Sequence, residues 1–555
     1  MSQISIDLNV EVPMRDGTIL RADVYRPTAP GSYPVLIQRT PYDRTGSLNV
    51  LIFDTLAAVK RGYIVVQQDT RGRFDSDGEW LPWAYEQKDG YDTVVWASGL
   101  PGSNGKVGMF GGSYTGQTQW AAALAAPPGL AAIAPQITWS DPADGLMFRG
   151  GAVELGLNAW WTLAQSLAQL PKVVEDPDEL LGAMATTIAD FDTLATKGYW
   201  ELPAAPLPAL TRAGLPDIGV QRGLQNPDTT EECRVAGHHD QVTVPSLNIG
   251  GWYDVFQQGT LDNYIAMRER GVPARLVVGP WPHVNAFSFG QIGDVNFGLL
   301  SEVAPGAKTM TDYQLDWFEN YLRDGSDTND SGAPVQLFVM GINQWRDEEE
   351  WPLQRAVATR LYLHGDGSLS FDQPIDEQSH SDFTYDPADP VPTCGGNLVM
   401  STQFPAGPKD QAAVESRADV LVFSTPVLTE DLEITGKVTA ELFAATDGPT
   451  TDWVVRLCDV DENGVSYNIV DGITRVSTEP ESIDKAEIDL WSTSIVIKAG
   501  HRLRVHVTSS NFPRWDRNPN TDTEVDDASK FRVARQSIHH NALHPSHLVL
   551  PVIPH

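Results

Sequence analysis

Four short apolar runs recur between residues 33 and 141, each closed by turn-forming residues: "YPVLIQRTPY", "GYIVVQQDTRG", "KVGMFGGSY" and "LAAIAPQITWSD". Helix-like pieces such as "NVLIFDTLAAVKRG" and "DGYDTVVWASGL" lie between them. A strand covered on both faces loses its polar alternation, so such runs alternating with helices require a parallel sheet with helices on both sides. Ahead of them, "ISIDLNVEV" and "ILRADVYRP" flank Asp16-Gly17, the signature of a hairpin.

The alternation pauses at about residue 145 and strand signals return only with "VPSLNIGGWYD" and "ARLVVGPWPH". The helical, Pro-punctuated stretch between them reads as a cap folded over the C-terminal edge of the sheet. A helix follows in "MTDYQLDWFENYLRDG", with Leu315, Phe318 and Leu322 on one face and Gly325 as its stop. Beyond about residue 335, strand-like runs joined by Gly, Pro, Asp and Asn turns favour an antiparallel sandwich of jelly-roll type. The expected organisation is an α/β core in two pieces (1–144 and 242–334), a helical cap (145–241) and a β-sandwich (335–555). A chain of 555 residues exceeds what one core can serve, consistent with that division.

Composition narrows the partners. Lysine and arginine number 39 against 73 acids, a net charge of −34, which repels phosphate backbones and anionic lipid. Neither nucleic acid nor a membrane is expected, and a homodimer is left open. The N-terminus "MSQISIDLNVEVPMRDG" lacks the apolar centre of a signal peptide, and no run reaches the ~18 apolar residues of a membrane span. Three dispersed cysteines (Cys233, Cys394 and Cys458) make neither a disulfide framework nor a CxxC site, which points to a reducing cytoplasm. The neighbouring His238–His239–Asp240 and His539–His540 lack ligand spacing, so no metal and no cofactor is expected.

The chemistry centres on "GMFGGSYTGQTQW". Strand, glycine-rich turn, Ser113 and helix follow in the order of a nucleophile elbow, although Thr115 stands where G-x-S-x-G would end and Gly116 comes one place later. A serine hydroxyl needs a base, and no histidine precedes residue 238. His283 lies just past the strand "RLVVGP", the place a base must occupy. Asp254 follows "SLNIGGWY", one strand earlier, where a carboxylate can hold the imidazole; Asp141 in "TWSDPAD" reads better as a helix start. The Tyr114 backbone N–H is the default oxyanion donor. No HGGG motif supplies a second, and Tyr42, after "YPVLIQRT", is either a phenolic donor or a packing residue.

"RTPYDR", "QDTRGRFDSDGEW", "GMFGGSYTGQTQW", "IGGWYDVF" and "LVVGPWPH" resemble successive blocks of the cocaine-esterase-like hydrolases. That group is similar to X-Pro dipeptidyl-peptidases and α-amino-acid ester hydrolases. The likeness continues in "LFVMGINQWRDEEEWPL", "YDPADPVPTCGG" and "SSNFPRWDRNPNT" and is weakest at about 165–240. It implies an α/β-hydrolase core with a helical cap and a C-terminal jelly roll. It also implies Ser113 as nucleophile, Asp254 as acid, His283 as base, and Tyr42 beside the Tyr114 amide in the oxyanion hole. Trp161 and Phe256 match aromatic positions lining that group's acyl pocket, which suits a benzoyl-like acyl group. The expected activity is a serine carboxylesterase acting on a small-molecule ester. An X-Pro dipeptidyl-peptidase or α-amino-acid ester hydrolase is the alternative, and the short segment before Tyr42, with no large helical domain, counts against the peptidase.

Overall fold

The computed structural model describes residues 4–46, 52–215, 220–284, 289–323, 332–522 and 527–554. Its first part is built on a ten-stranded sheet. The strands are β1 (Ile4–Pro13), β2 (Ile19–Pro27), β3 (Tyr33–Thr40), β4 (Ile64–Asp69) and β5 (Ser103–Gly112). Then come β6 (Leu130–Gln136), β7 (Ser246–Tyr253), β8 (Ala274–Pro282), β9 (Val335–Val339) and β10 (Gln344–Glu348). Their spatial order is β1-β2-β4-β3-β5-β6-β7-β8-β9-β10. The strands from β4 to β9 run parallel, and antiparallel β1–β2 and β10 close the two edges. Every residue of β4 and β7 is buried, which is why these runs carry no alternation in sequence.

The helices that cover this sheet include α1 (Glu86–Ser98), α2 (Tyr114–Ala125) and α3 (Met310–Leu322), together with Gln257–Glu269. The Thr309 side chain caps α3 by accepting from the Asp312 N–H, and Leu315, Phe318 and Leu322 are buried as their spacing predicts. Phe318 lies so close to β5 that a Cβ on Gly108 would come within 2.8 Å of its ring, so a larger residue there would push α3 off the sheet. Gly325, expected to stop this helix, lies outside the described residues, as does part of the helix expected at "NVLIFDTLAAVKRG", which forms over Thr55–Lys60.

Between β6 and β7 the chain turns helical. Its main members are α4 (Leu155–Val173) and α5 (Pro177–Asp192), the second capped by the Asp176 carboxylate on the N–H groups of Asp178 and Glu179. After β10 the chain is all-β, in a seven-stranded and a four-stranded sheet. Its longest antiparallel pair joins Leu432–Thr446 to Asp484–Ile497. Val357–Leu363 is its first strand, so the run at 335–348, expected to open the sandwich, instead extends the core sheet as β9 and β10. A short apolar run has the same appearance in either setting, and only its parallel register on β8 separates them. The sandwich packs directly on the core: Met340 bridges to Ile495, and the Ser492 hydroxyl donates to Gln258 at 2.9 Å. Among the described residues no helix is long and apolar enough to cross a membrane.

Candidate active site

The turn between β5 and α2 holds Ser113 at φ 59°, ψ −125°, a conformation L-residues adopt only under constraint. The local sequence supplies the constraint. Gly111 has φ 127°, and a Cβ there would sit 2.3 Å from the Thr115 hydroxyl. A Cβ on Gly116 would meet the Gln136 carbonyl at 2.9 Å. The displaced glycine of the motif therefore answers to the close passage of the end of β6, and Thr115 fits because Gly111 is bare. Its hydroxyl donates to the Gly112 carbonyl at 2.8 Å.

Asp254 and His283 sit one residue past β7 and β8, so the parallel sheet delivers both to the same edge as Ser113. His283 Nδ1 lies 2.6 Å from Asp254 Oδ1, and His283 Nε2 lies 3.0 Å from Ser113 Oγ. The Asp254 carboxylate is fully buried, and its other oxygen accepts the Phe256 N–H at 3.1 Å. Both carboxylate oxygens are thus committed, which fixes the imidazole with Nδ1 as donor and Nε2 as acceptor toward serine. The rival Asp141 caps the turn at Ala143 with its side chain and pairs with Arg234, a structural role. The paired histidines are likewise engaged in packing: His239 bonds Asn263 at 2.9 Å, and His540 sits between Ser379 and Ser381.

Two groups beside the serine can donate. Tyr114 opens α2, so its backbone N–H has no intrahelical partner. Tyr42 follows β3 on a loop pinned by its N–H to the Thr40 hydroxyl at 3.0 Å. Burial raises the Tyr42 pKa, and the Trp161 indole and Ser113 hydroxyl only partly offset it, so the phenol keeps its proton. Trp161 Nε1–H donates to the phenol oxygen at 3.1 Å. The Tyr114 phenol is also held: it donates to Glu86 at 2.8 Å, and Glu86 is ion-paired to Arg39 at 2.6 Å, all within the core.

A cavity of about 520 Å³ opens beside Ser113 and His283 and reaches Phe256, Trp161 and Tyr42. Phe256 meets the His283 ring edge-on at 5.2 Å and Trp139 at 5.1 Å. Sequence reasoning missed Trp83 and Trp139, which complete this wall; Trp83 stacks on Trp161 at 5.9 Å and on Tyr114 at 5.9 Å. The repeated tryptophans of "GEWLPWAYE", in a loop just ahead of α1, were the available signal. Trp281 also reaches the cavity. Asn397, from the C-terminal all-β region, was missed too; its amide donates to the carbonyls of Trp252 (2.7 Å) and Asp254 (3.2 Å), fixing the loop that carries the acid.

A hydroxyl, an imidazole and a buried carboxylate in one hydrogen-bonded line at the C-terminal edge of a parallel sheet define a serine hydrolase. Residues 16–285 match the X-Pro dipeptidyl-peptidase (S15) family, and residues 328–549 match the X-Pro dipeptidyl-peptidase C-terminal non-catalytic domain. The chain is 36% identical to the cocaine esterase of Rhodococcus sp. (strain MB1 Bresler), covering 99% of each. An aminopeptidase from a marine-sediment Thaumarchaeota archaeon superposes with a TM-score of 0.78 at 25% identity, over 100% of this chain and 96% of that one. An α-amino acid ester hydrolase gives a TM-score of 0.78 at 26% identity, over 99% and 97%. The chain belongs to the cocaine-esterase-like serine ester hydrolases, with an α/β-hydrolase part followed by an all-β domain.

Proposed function

We propose that the protein is a carboxylesterase in which Ser113, His283 and Asp254 form the catalytic triad. The observation that carries this is the unbroken chain from Ser113 Oγ to His283 at 3.0 Å and from His283 to Asp254 at 2.6 Å. Ser113 attacks the ester carbonyl while His283 Nε2 takes its proton, and Asp254 stabilises the imidazolium. The Tyr42 phenol and the Tyr114 N–H receive the oxyanion. His283 then protonates the leaving alcohol, giving an acyl-Ser113 ester. Water, deprotonated by His283, attacks that ester and releases the acid, and the proton returns to Ser113.

The acyl group is aromatic and benzoyl-like in this reading, held between Phe256, Trp161 and the tryptophans beside them, where edge and face contacts suit a flat ring. The helical segment 145–241 acts as the cap that brings Trp161 over the site, with the core in residues 1–144 and 242–348. The aminopeptidase and amino-acid ester hydrolase neighbours raise a second reading, an α-amino acyl substrate. Such a substrate calls for a carboxylate near its ammonium. The one acid among the described lining residues is Glu302, whose side chain takes the Gly290 N–H, so the aromatic ester is favoured. The test is parallel initial rates on a benzoyl ester, an acetate ester and an Ala-Pro anilide, with Ser113→Ala as blank. Fastest turnover of the benzoyl ester, abolished in the blank, is expected; preference for the anilide would make the protein a peptidase.

A further inference from the structure

Arg73 is 1% exposed and, like Arg517, which donates to the Pro387 and Trp200 carbonyls, differs from the ion-paired buried arginines. Arg39 is paired with Glu86, Arg44 with Asp69, Arg71 with Asp89 and Arg514 with Asp471. Among the described residues no carboxylate lies in ion-pair contact with Arg73. Its hydrogen-bond acceptors are all neutral. Nε–H donates to the Pro41 carbonyl at 2.8 Å, one Nη to Gln169 Oε1 at 2.8 Å and the Gln165 carbonyl at 3.3 Å, and the other Nη to Gln165 Oε1 at 2.9 Å. The guanidinium also lies over the Trp80 ring at 4.1 Å.

Removing a guanidinium from water costs several kcal/mol, and a fold normally answers with a carboxylate. Here the direct hydrogen-bond partners are neutral, and their position explains what the guanidinium serves. Pro41 immediately precedes Tyr42, so the Nε bond fixes the loop carrying the phenol. Burial lowers the Arg73 pKa to about 10, which leaves it protonated at neutral pH, where the charge of Asp69 also favours it. Its own charge favours negative charge on the Tyr42 phenol. The phenolic donor therefore lies in the field of a buried cation, in surroundings that screen it poorly.

We propose that Arg73 is a positioning residue for the oxyanion hole, holding the Tyr42 loop through Pro41 and placing a buried positive charge near the Tyr42 phenol. This rests on the esterase mechanism assigned to Ser113. Negative charge appears on the carbonyl oxygen only on the way to the tetrahedral intermediate, so a fixed cation near that donor acts on kcat more than on substrate binding.

Arg73→Lys and Arg73→Gln test the charge directly. Both lose the five-donor fork, and only lysine keeps the cation. On a benzoyl ester the glutamine variant should show kcat roughly 10-fold or more below the lysine variant, with KM within about threefold. An arylboronic acid, which becomes a tetrahedral anion on Ser113, should weaken in parallel, while neutral benzamide should bind both variants alike. Equal losses of kcat in the two variants, or equal effects on boronate and benzamide, would overturn the proposal by reducing Arg73 to a packing role. Thermal unfolding checks that both are folded, and Arg73→Met replaces the glutamine variant if that one is not. A wild-type protein that neither cleaves esters nor binds the boronate would instead overturn the esterase reading itself.

Discussion

The Trp161 indole N–H donates to the Tyr42 phenol oxygen at 3.1 Å, linking helix α4 to the loop after β3. An indole can only donate, so it takes an acceptor position on the phenol oxygen and leaves the phenol's single proton to be donated, in the proposed mechanism to the developing oxyanion. Trp161→Phe keeps an aromatic wall and removes only the donor. It should lower kcat on a benzoyl ester about 10-fold, while Tyr42→Phe should lower it about 100-fold or more. Because both act through one hydroxyl, the double variant should be no worse than Tyr42→Phe alone, a non-additivity read from steady-state kinetics.

Asn397 ties the all-β region to the acid-bearing loop. Its amide satisfies the carbonyls of Trp252 and Asp254, and Asn397 is 2% exposed. Asn397→Leu removes the side-chain amide from both carbonyls; that of Asp254 keeps the Gln257 N–H at 3.1 Å, so the cost is about 1–3 kcal/mol in all. The melting temperature should fall by several degrees, and kcat should fall with it because Asp254 is less firmly held. Unchanged melting and kinetics would show that the all-β region does not support the site.

How much of this arrangement could be read from the residues varies with how local the signal is. Ser113, Asp254 and His283 each stand just past a buried apolar run, so strand order alone puts them on one edge, and they lie in one hydrogen-bonded line. The hairpin at Asp16-Gly17 and the helix ending at Leu322 carry their own turn and face patterns. Strands β9 and β10 read in sequence as part of the sandwich because membership of a sheet is a matter of register, which a short run does not encode. Trp83, Trp139 and Asn397 arrive from loops distant in sequence. Nothing near them in the chain says which wall they complete. Arg73 was hidden for another reason: its significance lies in the carboxylate it lacks.

Glu415 supplies a pH signature for the sandwich. Burial would raise its pKa, yet hydrogen bonds from His506 and Ser466 and the charges of His506 and Arg504 outweigh burial and lower it to about 2. Arg504 donates to one oxygen at 2.6 Å, and His506 Nε2 lies 3.0 Å from the other. A depressed carboxylate contributes stability above its unfolded pKa and loses it as pH falls toward the folded value. The contribution is therefore present above about pH 4.5 and disappears toward pH 2; with partial solvent screening it is on the order of 1–2 kcal/mol. Glu415→Gln should lower the melting temperature at pH 7 and approach the wild type near pH 2 to 3. Parallel melting curves across that range would remove Glu415 from the acid response.

In the proposed esterase, Phe256 is the residue that selects the acyl group. It is 2% exposed, lies edge-on to the His283 ring at 5.2 Å and to Trp139 at 5.1 Å, and borders the cavity at Ser113. An aromatic pair contributes about 0.5–1.5 kcal/mol beyond the area it buries, and the buried area of a phenyl ring adds more. An acetyl group reaches little of that wall. Phe256→Ala should therefore cut kcat/KM for a benzoyl ester about 10- to 100-fold while changing an acetate ester by only a few-fold. A loss shared equally by both esters would mean that Phe256 acts by supporting the His283 imidazole. The acyl preference would then have to come from Trp83, Trp139 and Trp161.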